Sequence, residues 1–300
     1  MPATLVQPAQ TVQTTLSYFS PPSDGSRAFS VVSPTPGQLQ KNYLSVKHTA
    51  QIENIRGNES SVSLDTTGFQ YYLNEPTKHK SFQNDEEIEK EYYTESIELI
   101  KKLTGASRVV LFDHSKFSSL LICNFALHSS VALRRRRPGQ DGLDPKSRQP
   151  VPQVHVDQSA KAARNRVLRH LPESESAELL KHRFQIINLW RPISHPADDW
   201  PLALCDYRSL DVEKDLVPVA LIYPDREGET LGVKYNPNHK WKYLKGMTPD
   251  DLVLIKCYDS KGDGTVSVLT PHTAFEDPTT PPDALPRESI ELRTLVFYDD

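Results

Sequence analysis

The chain has 300 residues, a net charge of −4 at neutral pH, and 37% apolar against 25% charged residues. Those proportions support one large core or two small ones and exclude disorder of the whole chain. The mild negative charge gives no field to gather nucleic acid, and no run of about 18 apolar residues is present to span a membrane as a helix.

Taken in chain order, residues 1–45 are rich in Pro, Ser, Thr and Gln and read as an irregular arm with one strand in "SRAFSVVS". The arm has no basic head followed by an apolar core, so no secretory signal is expected. "NESSVSLDTTGFQYYLNE" alternates and predicts two short strands. A helix follows: Asn84 or Asp85 can cap it, Glu86 and Glu87 suit its first turn, and Gly105 ends it after Lys101 and Lys102. Ile88, Tyr92, Leu99, Ile100 and Leu103 can share one face of that helix. "SRVVLFDHS" reads as a strand, and Ser115–Pro152 as mixed and then loop-like, with Arg134–Arg137 in a solvated loop. Helices are expected over Ser159–His170 and in "SESAELLKH".

Seven β-rich runs come next: "RFQIINLWRPI", "LALCDYRSL", "LVPVALIYP", "ETLGVKYNP", "KWKYLKG", "DLVLIKCYDS" and "SIELRTLVFYD". So many short strands separated by Pro, Gly, Asp and Asn predict an antiparallel sandwich or barrel, and an α+β chain as a whole. The expected organisation is a single unit over residues 1–300. Residues 1–150 form an arm, a helix and covering loops, and residues 151–300 form the β-core with the functional site. Cys123, Cys205 and Cys257 stand far apart in apolar stretches, with no C-x-x-C pair. Buried reduced thiols and a cytoplasmic compartment are the expectation.

The chemistry gathers around "VHVDQS". His155 and Asp157 are two apart, and in an extended segment such residues point the same way. "TPHTAFEDP" offers His272 as a second imidazole. Two imidazoles and one carboxylate on one face of an octahedron hold Fe(II) and leave three positions open. Spacing alone favours a surface His–Asp pair over a metal site. "RESIELR" adds an R-x-S pair, Arg287 and Ser289, with Arg293 at the same strand parity. A guanidinium can grip the far carboxylate of a dicarboxylate, and a hydroxyl can add a hydrogen bond. One of the two arginines is expected to do so, and the other to pair with Glu291 or Asp259.

Together the phrases "HVDQS", "RFQIINLWRPI", "PLALCDYRSL", "CYDS", "HTAFEDP" and "RESIELRTLVF" resemble the non-haem iron, 2-oxoglutarate-dependent oxygenases of secondary metabolism that include gibberellin desaturase, the aspergillic-acid hydroxylase and the cephamycin methoxylation protein. The resemblance covers roughly residues 150–300; before that it extends little beyond "RVVLFDH". It implies a double-stranded β-helix (cupin-like jelly-roll) core with flanking helices. His155, Asp157 and His272 are implied as iron ligands, and Arg287 with Ser289, or Arg293, as the 2-oxoglutarate anchor. Fe(II), 2-oxoglutarate and O₂ would abstract hydrogen from a large apolar, meroterpenoid-like fungal metabolite, giving hydroxylation, desaturation or an endoperoxide. One departure is the proline-rich "EDPTTPPDALP" between His272 and Arg287, which leaves the choice of arginine open.

Asn188 is a candidate to hydrogen-bond the C1 carboxylate of 2-oxoglutarate or a group that supports the metal ligands, and Arg191 for a pair with Asp206 or Asp259. Tyr71, Tyr72, His114, Phe117 and Trp200 are candidates for the substrate's walls. A homodimer is left open. A methyltransferase is disfavoured because "LTGASRVVLF" has a single glycine where a glycine-rich turn is needed. The competing reading is a non-enzymatic β-barrel that binds small molecules, in which His155 and Asp157 are incidental.

Overall fold

The structure, a computed structural model, describes residues 11–32, 34–35, 37–112, 132–138 and 149–299. Strands in these residues form two sheets. The larger has the order β1 (Thr11–Ser20), β3 (Leu44–Asn54), β12 (Trp241–Tyr243), β9 (Leu202–Cys205), β14 (His272–Ala274), β7 (His155–Val156), β11 (Glu227–Val233), β10 (Leu216–Ile222) and β2 (Phe29–Val31). The smaller has the order β4 (Phe69–Tyr72), β13 (Leu252–Asp259), β8 (Phe184–Pro192), β15 (Glu288–Phe297) and β5 (Arg108–Leu111), with β6 (Ala132–Arg135) also paired to β15. Neighbours are antiparallel except β12–β3 and β10–β2. The larger sheet curls back on itself: the Phe19 ring at the end of β1 covers Gly232 of β11, and the Val154 N–H donates to the Ser17 carbonyl at 2.9 Å.

Every residue of β8 is buried, and its two faces feed different cores. Ile186 and Trp190 point between the sheets, toward Leu202 and Leu204 of β9. Ile187 and Leu189 point outward, beneath Ile88, Tyr92 and Ile100 of the helical segment. Each large aliphatic side chain so buried contributes about 1.5–3 kcal/mol relative to exposure. That segment consists of α1 (Asp85–Glu87), a π turn at Ile88–Tyr93, and α2 (Thr94–Thr104). Its ends are as expected: the Asn84 side chain accepts from the Glu86 N–H, and Gly105 closes it at φ 74°. α3 (Ala160–His170), whose cap Ser159 accepts from the Ala162 N–H, precedes α4 (Glu173–Leu179). α5 is the short Val212–Asp215. The architecture is mixed α and β, dominated by curled sheets, and all seven late β-rich runs contain strands.

Three expectations fail. The arm is no irregular segment: β1 pairs with β3 along its whole length. Polar Thr14 stands at an inward position between Val12 and Leu16 and interrupts the alternation. "NESSVSLDTTGFQYYLNE" yields a 3-10 turn at Glu59–Ser61 and only one strand, β4. There the chain turns through Gly68 at φ 93° instead of extending. Arg134–Arg137 is no solvated loop either. Arg134 and Arg135 belong to β6; Arg135 pairs with Glu288 at 3.0 Å and Arg136 with Asp199 at 2.8 Å. Cys205 and Cys257 are buried free thiols, and Cys123 lies outside the described residues. Among the described residues, no helix is long and apolar enough to cross a membrane.

Candidate metal centre

β7 is only two residues long and is held from both sides. His155 stands opposite His272 of β14 on one flank and Gly232 of β11 on the other. Gly232 has to be glycine, because a Cβ there would lie 2.5 Å from Cγ of Phe19. The register sets the two imidazoles face to tilted face, centroids 4.5 Å apart. Each donates its Nδ1–H to a backbone carbonyl, His155 to Gln153 at 2.7 Å and His272 to Thr270 at 3.0 Å. That fixes both tautomers and leaves both Nε2 lone pairs free to ligate.

Asp157 completes the group. Its Oδ2 accepts from Asn188 Nδ2 at 2.7 Å and Arg293 Nε at 3.0 Å, while Oδ1 lies 3.4 Å from His155 Nε2. The candidate donor atoms of His155, Asp157 and His272 all lie within 4.8 Å of one another. Burial alone would raise the Asp157 pKa, but Arg293 and the two imidazoles hold it well below the usual carboxylate range. Burial and the neighbouring His155 push His272 down, toward the neutral imidazole that a metal requires. Two neutral nitrogens and one ionised carboxylate suit ferrous iron, as charge and donor type both allow.

A second constellation lies on β15 and the residue before it. Arg287, Ser289, Glu291 and Arg293 share one strand face, as parity demands. Glu291 accepts from Asn188 at 2.9 Å and from Arg293 Nη2 at 3.0 Å, so Asn188 and Arg293 both brace Asp157. Arg287 is different. It is 2% exposed, it donates through Nη1 to the Trp200 carbonyl, and its guanidinium lies 5.5 Å from the centre of the Trp190 ring. Among the described residues no carboxylate pairs with that guanidinium, and Arg287 Nε and Ser289 Oγ are buried without a partner. Burial, and then the charge of Arg134, push the Arg287 pKa down. Such a buried cation calls for an anion, and a dicarboxylate's free end fits.

The other candidates scatter. Tyr71 is buried in the core between the sheets, edge-on to Phe69 at 5.9 Å, and Tyr72 packs against the outer core. Trp200 is half-buried at φ 48°, rare for a bulky residue, with Arg136 5.2 Å from its ring centre. It stands beside Arg287. His114 and Phe117 lie outside the described residues. Arg191 pairs with neither Asp206 nor Asp259: it donates to the carbonyls of Glu75 at 3.1 Å and Pro249 at 3.0 Å. Arg208 and Arg183 have taken those carboxylates. Cys257, whose Sγ lies 4.0 Å from Asp157 Oδ2, was legible only as a buried thiol.

A family model described as "Oxidoreductase/YMDC permease-like domain" matches residues 16–297. The chain is 35% identical to a hydroxylase/desaturase of Hormonema carpetanum, efuI, over 97% of this chain and 96% of that one. It is 31% identical to the Fe(II)/2-oxoglutarate-dependent dioxygenase nvfI of Aspergillus novofumigatus, over 89% of each. A solved structure of the iron and alpha-ketoglutarate-dependent endoperoxidase NvfI superposes with a TM-score of 0.78 at 27% identity, covering 98% of this chain and all of that one. On these matches of sequence and fold, the chain belongs to the Fe(II)/2-oxoglutarate-dependent oxygenases that include the fungal hydroxylase/desaturases.

Proposed function

We propose that His155, Asp157 and His272 hold Fe(II), and that Arg287 and Ser289 hold the C5 carboxylate of 2-oxoglutarate. The observation that carries the reading is the donor set, with both Nδ1 atoms and Asp157 Oδ2 already committed and the remaining donors within 4.8 Å of one another. Bound there, iron with 2-oxoglutarate and O₂ supplies the oxidising power to remove a hydrogen atom from a substrate carbon, while the co-substrate leaves as succinate and CO₂. The protein's own part is positional. Arg293 and Asn188 keep Asp157 ionised and oriented, the two carbonyls keep the imidazoles neutral and aimed, and Arg287 fixes the far end of the co-substrate. Hydroxylation, desaturation and endoperoxide formation are the outcomes open to the resulting radical, on a secondary metabolite with a large apolar body.

The likeness to NvfI supports reading the curled sheets as a double-stranded β-helix, and residues 1–300 as one oxygenase unit. The buried free Cys205 and Cys257 support a reducing, cytoplasmic compartment. The test is iron stoichiometry and succinate formation in His155→Ala, Asp157→Ala and His272→Ala. Each variant is expected to lose both while keeping the wild-type circular dichroism spectrum. Full iron binding by any one of them overturns the triad, and a wild type that binds no iron returns the non-enzymatic reading.

A further inference from the structure

A cleft of about 470 Å³ runs between α3 and the β10–β11 hairpin, with Asp157 and the buried Gln158 among its lining. That volume lies within the range of small-molecule sites, about 300–1,000 Å³. Its lining includes four cations, Lys161, Arg166, Arg169 and Arg226, and three carboxylates, those of Asp157, Glu227 and Glu229. All three carboxylates are engaged. Asp157 is held by Arg293 and Asn188. Glu227 pairs at 2.5 Å with Arg27, which does not line the cleft, and also feels Lys161. Glu229 accepts from Ser159 Oγ at 2.5 Å. Of the cations, Lys161 and Arg169 are the less committed. Arg226 pairs with the neighbouring Asp225 at 3.0 Å, and Arg166 lies over the Phe112 ring at 5.1 Å. Lys161 and Arg169 have no ion-pair partner among the described residues. α3 has no acidic residue in its first turn; its N-terminus is capped by Ser159 Oγ, which in turn donates to Glu229. Leu221, Tyr223 and the 50% exposed Leu168 give the same cleft an apolar side.

We propose that this cleft seats an anionic group, a carboxylate above all, of the organic substrate, so that the molecule oxidised is an amphipathic acid. The inference rests on the oxygenase reading above and narrows its substrate class. The acid end would lie along α3 near Lys161 and Arg169, and the apolar body would run inward toward Asp157 and the metal centre.

The test uses the full chain loaded anaerobically with Fe(II) and saturating 2-oxoglutarate, so that the Arg287 anchor is already filled. Pyrenebutyrate and its methyl ester serve as probes, and binding is read by fluorescence titration. The acid is expected to bind about tenfold more tightly than the ester, with a preference that shrinks as salt is raised. In Lys161→Glu with Arg169→Glu that preference is expected to vanish while ester binding persists. Equal affinities in the wild type, no binding of either probe, or a preference that survives the charge reversal would overturn the proposal. Consumption of 2-oxoglutarate in air by the same wild-type preparation is followed separately. Its absence would sink the oxygenase assignment, and the acid–ester comparison would still stand or fall on its own.

Discussion

Arg287 and Arg293 lie on the same strand face and differ in what surrounds them. Arg293 already has two carboxylates, Asp157 and Glu291, at 3.0 Å each. Among the described residues Arg287 has none, and Ser289 Oγ beside it is unpartnered. Arg287→Ala is therefore expected to raise the 2-oxoglutarate KM while iron content stays normal. Losing a charge pair in a shielded site costs about 2–5 kcal/mol, or roughly 30-fold or more at about 1.4 kcal/mol per tenfold. Arg293→Ala is expected to show the converse, with iron affinity lower by about 10–100-fold and a smaller change in KM. Iron titration and initial rates against 2-oxoglutarate in both variants check the split, and a KM unchanged in Arg287→Ala would move the anchor elsewhere. The R-x-S spacing was legible in the sequence, but the choice between the arginines was not. Parity puts both on one face, and only the cross-sheet placement of Asp157 and Asn188 separates them.

At the scale of elements, the metal centre depends on short strands that no periodicity could reveal. β7 has two residues and β14 three, and lateral pairing defines each. The long amphipathic pieces were readable, α2 and α3 with their caps and the all-buried β8 as a strand. β1 and β3 were not, because polar Thr14 and His48 stand at inward positions and break the alternation. One connection ties a turn directly to a ligand. Gly68 sits at φ 93°, and a Cβ there would meet the Leu269 carbonyl oxygen at 2.8 Å. Its own carbonyl accepts from Thr270 Oγ1 at 2.6 Å, and the Thr270 carbonyl accepts from His272 Nδ1. Gly68→Ala is expected to cost about 1–3 kcal/mol in backbone strain and also to weaken iron binding by displacing Thr270. Gly25→Ala is the control: its φ is 71° but nothing lies within 4 Å, so it should leave iron binding unchanged. Urea midpoints and iron titrations on both variants test this, and wild-type iron affinity in Gly68→Ala would break the link.

Across the whole molecule, the candidate ligands come from the larger sheet and the proposed co-substrate anchor from the smaller. A chelated 2-oxoglutarate would therefore span the gap between them. Each ligand bound only by the folded state adds about 2.7 kcal/mol of stability at a hundred times its Kd. Anaerobic thermal melts should show one increment with Fe(II) and a second with 2-oxoglutarate. Arg287→Ala should keep the first and lose most of the second, and two undiminished increments in that variant would contradict the placement. The order of helices before strands made the mixed α and β class legible. The partition into two sheets was not, since β7 and β14 meet from distant parts of the chain. That partition also has a consequence for how such an enzyme changes over generations. The cleft beside α3 and the β10–β11 hairpin belongs to one sheet, and Arg287 and Ser289 to the other. With the cleft as the proposed substrate site and Arg287 as the proposed anchor, a lineage can rewrite the helix and hairpin to accept a new metabolite while inheriting its fuel supply intact.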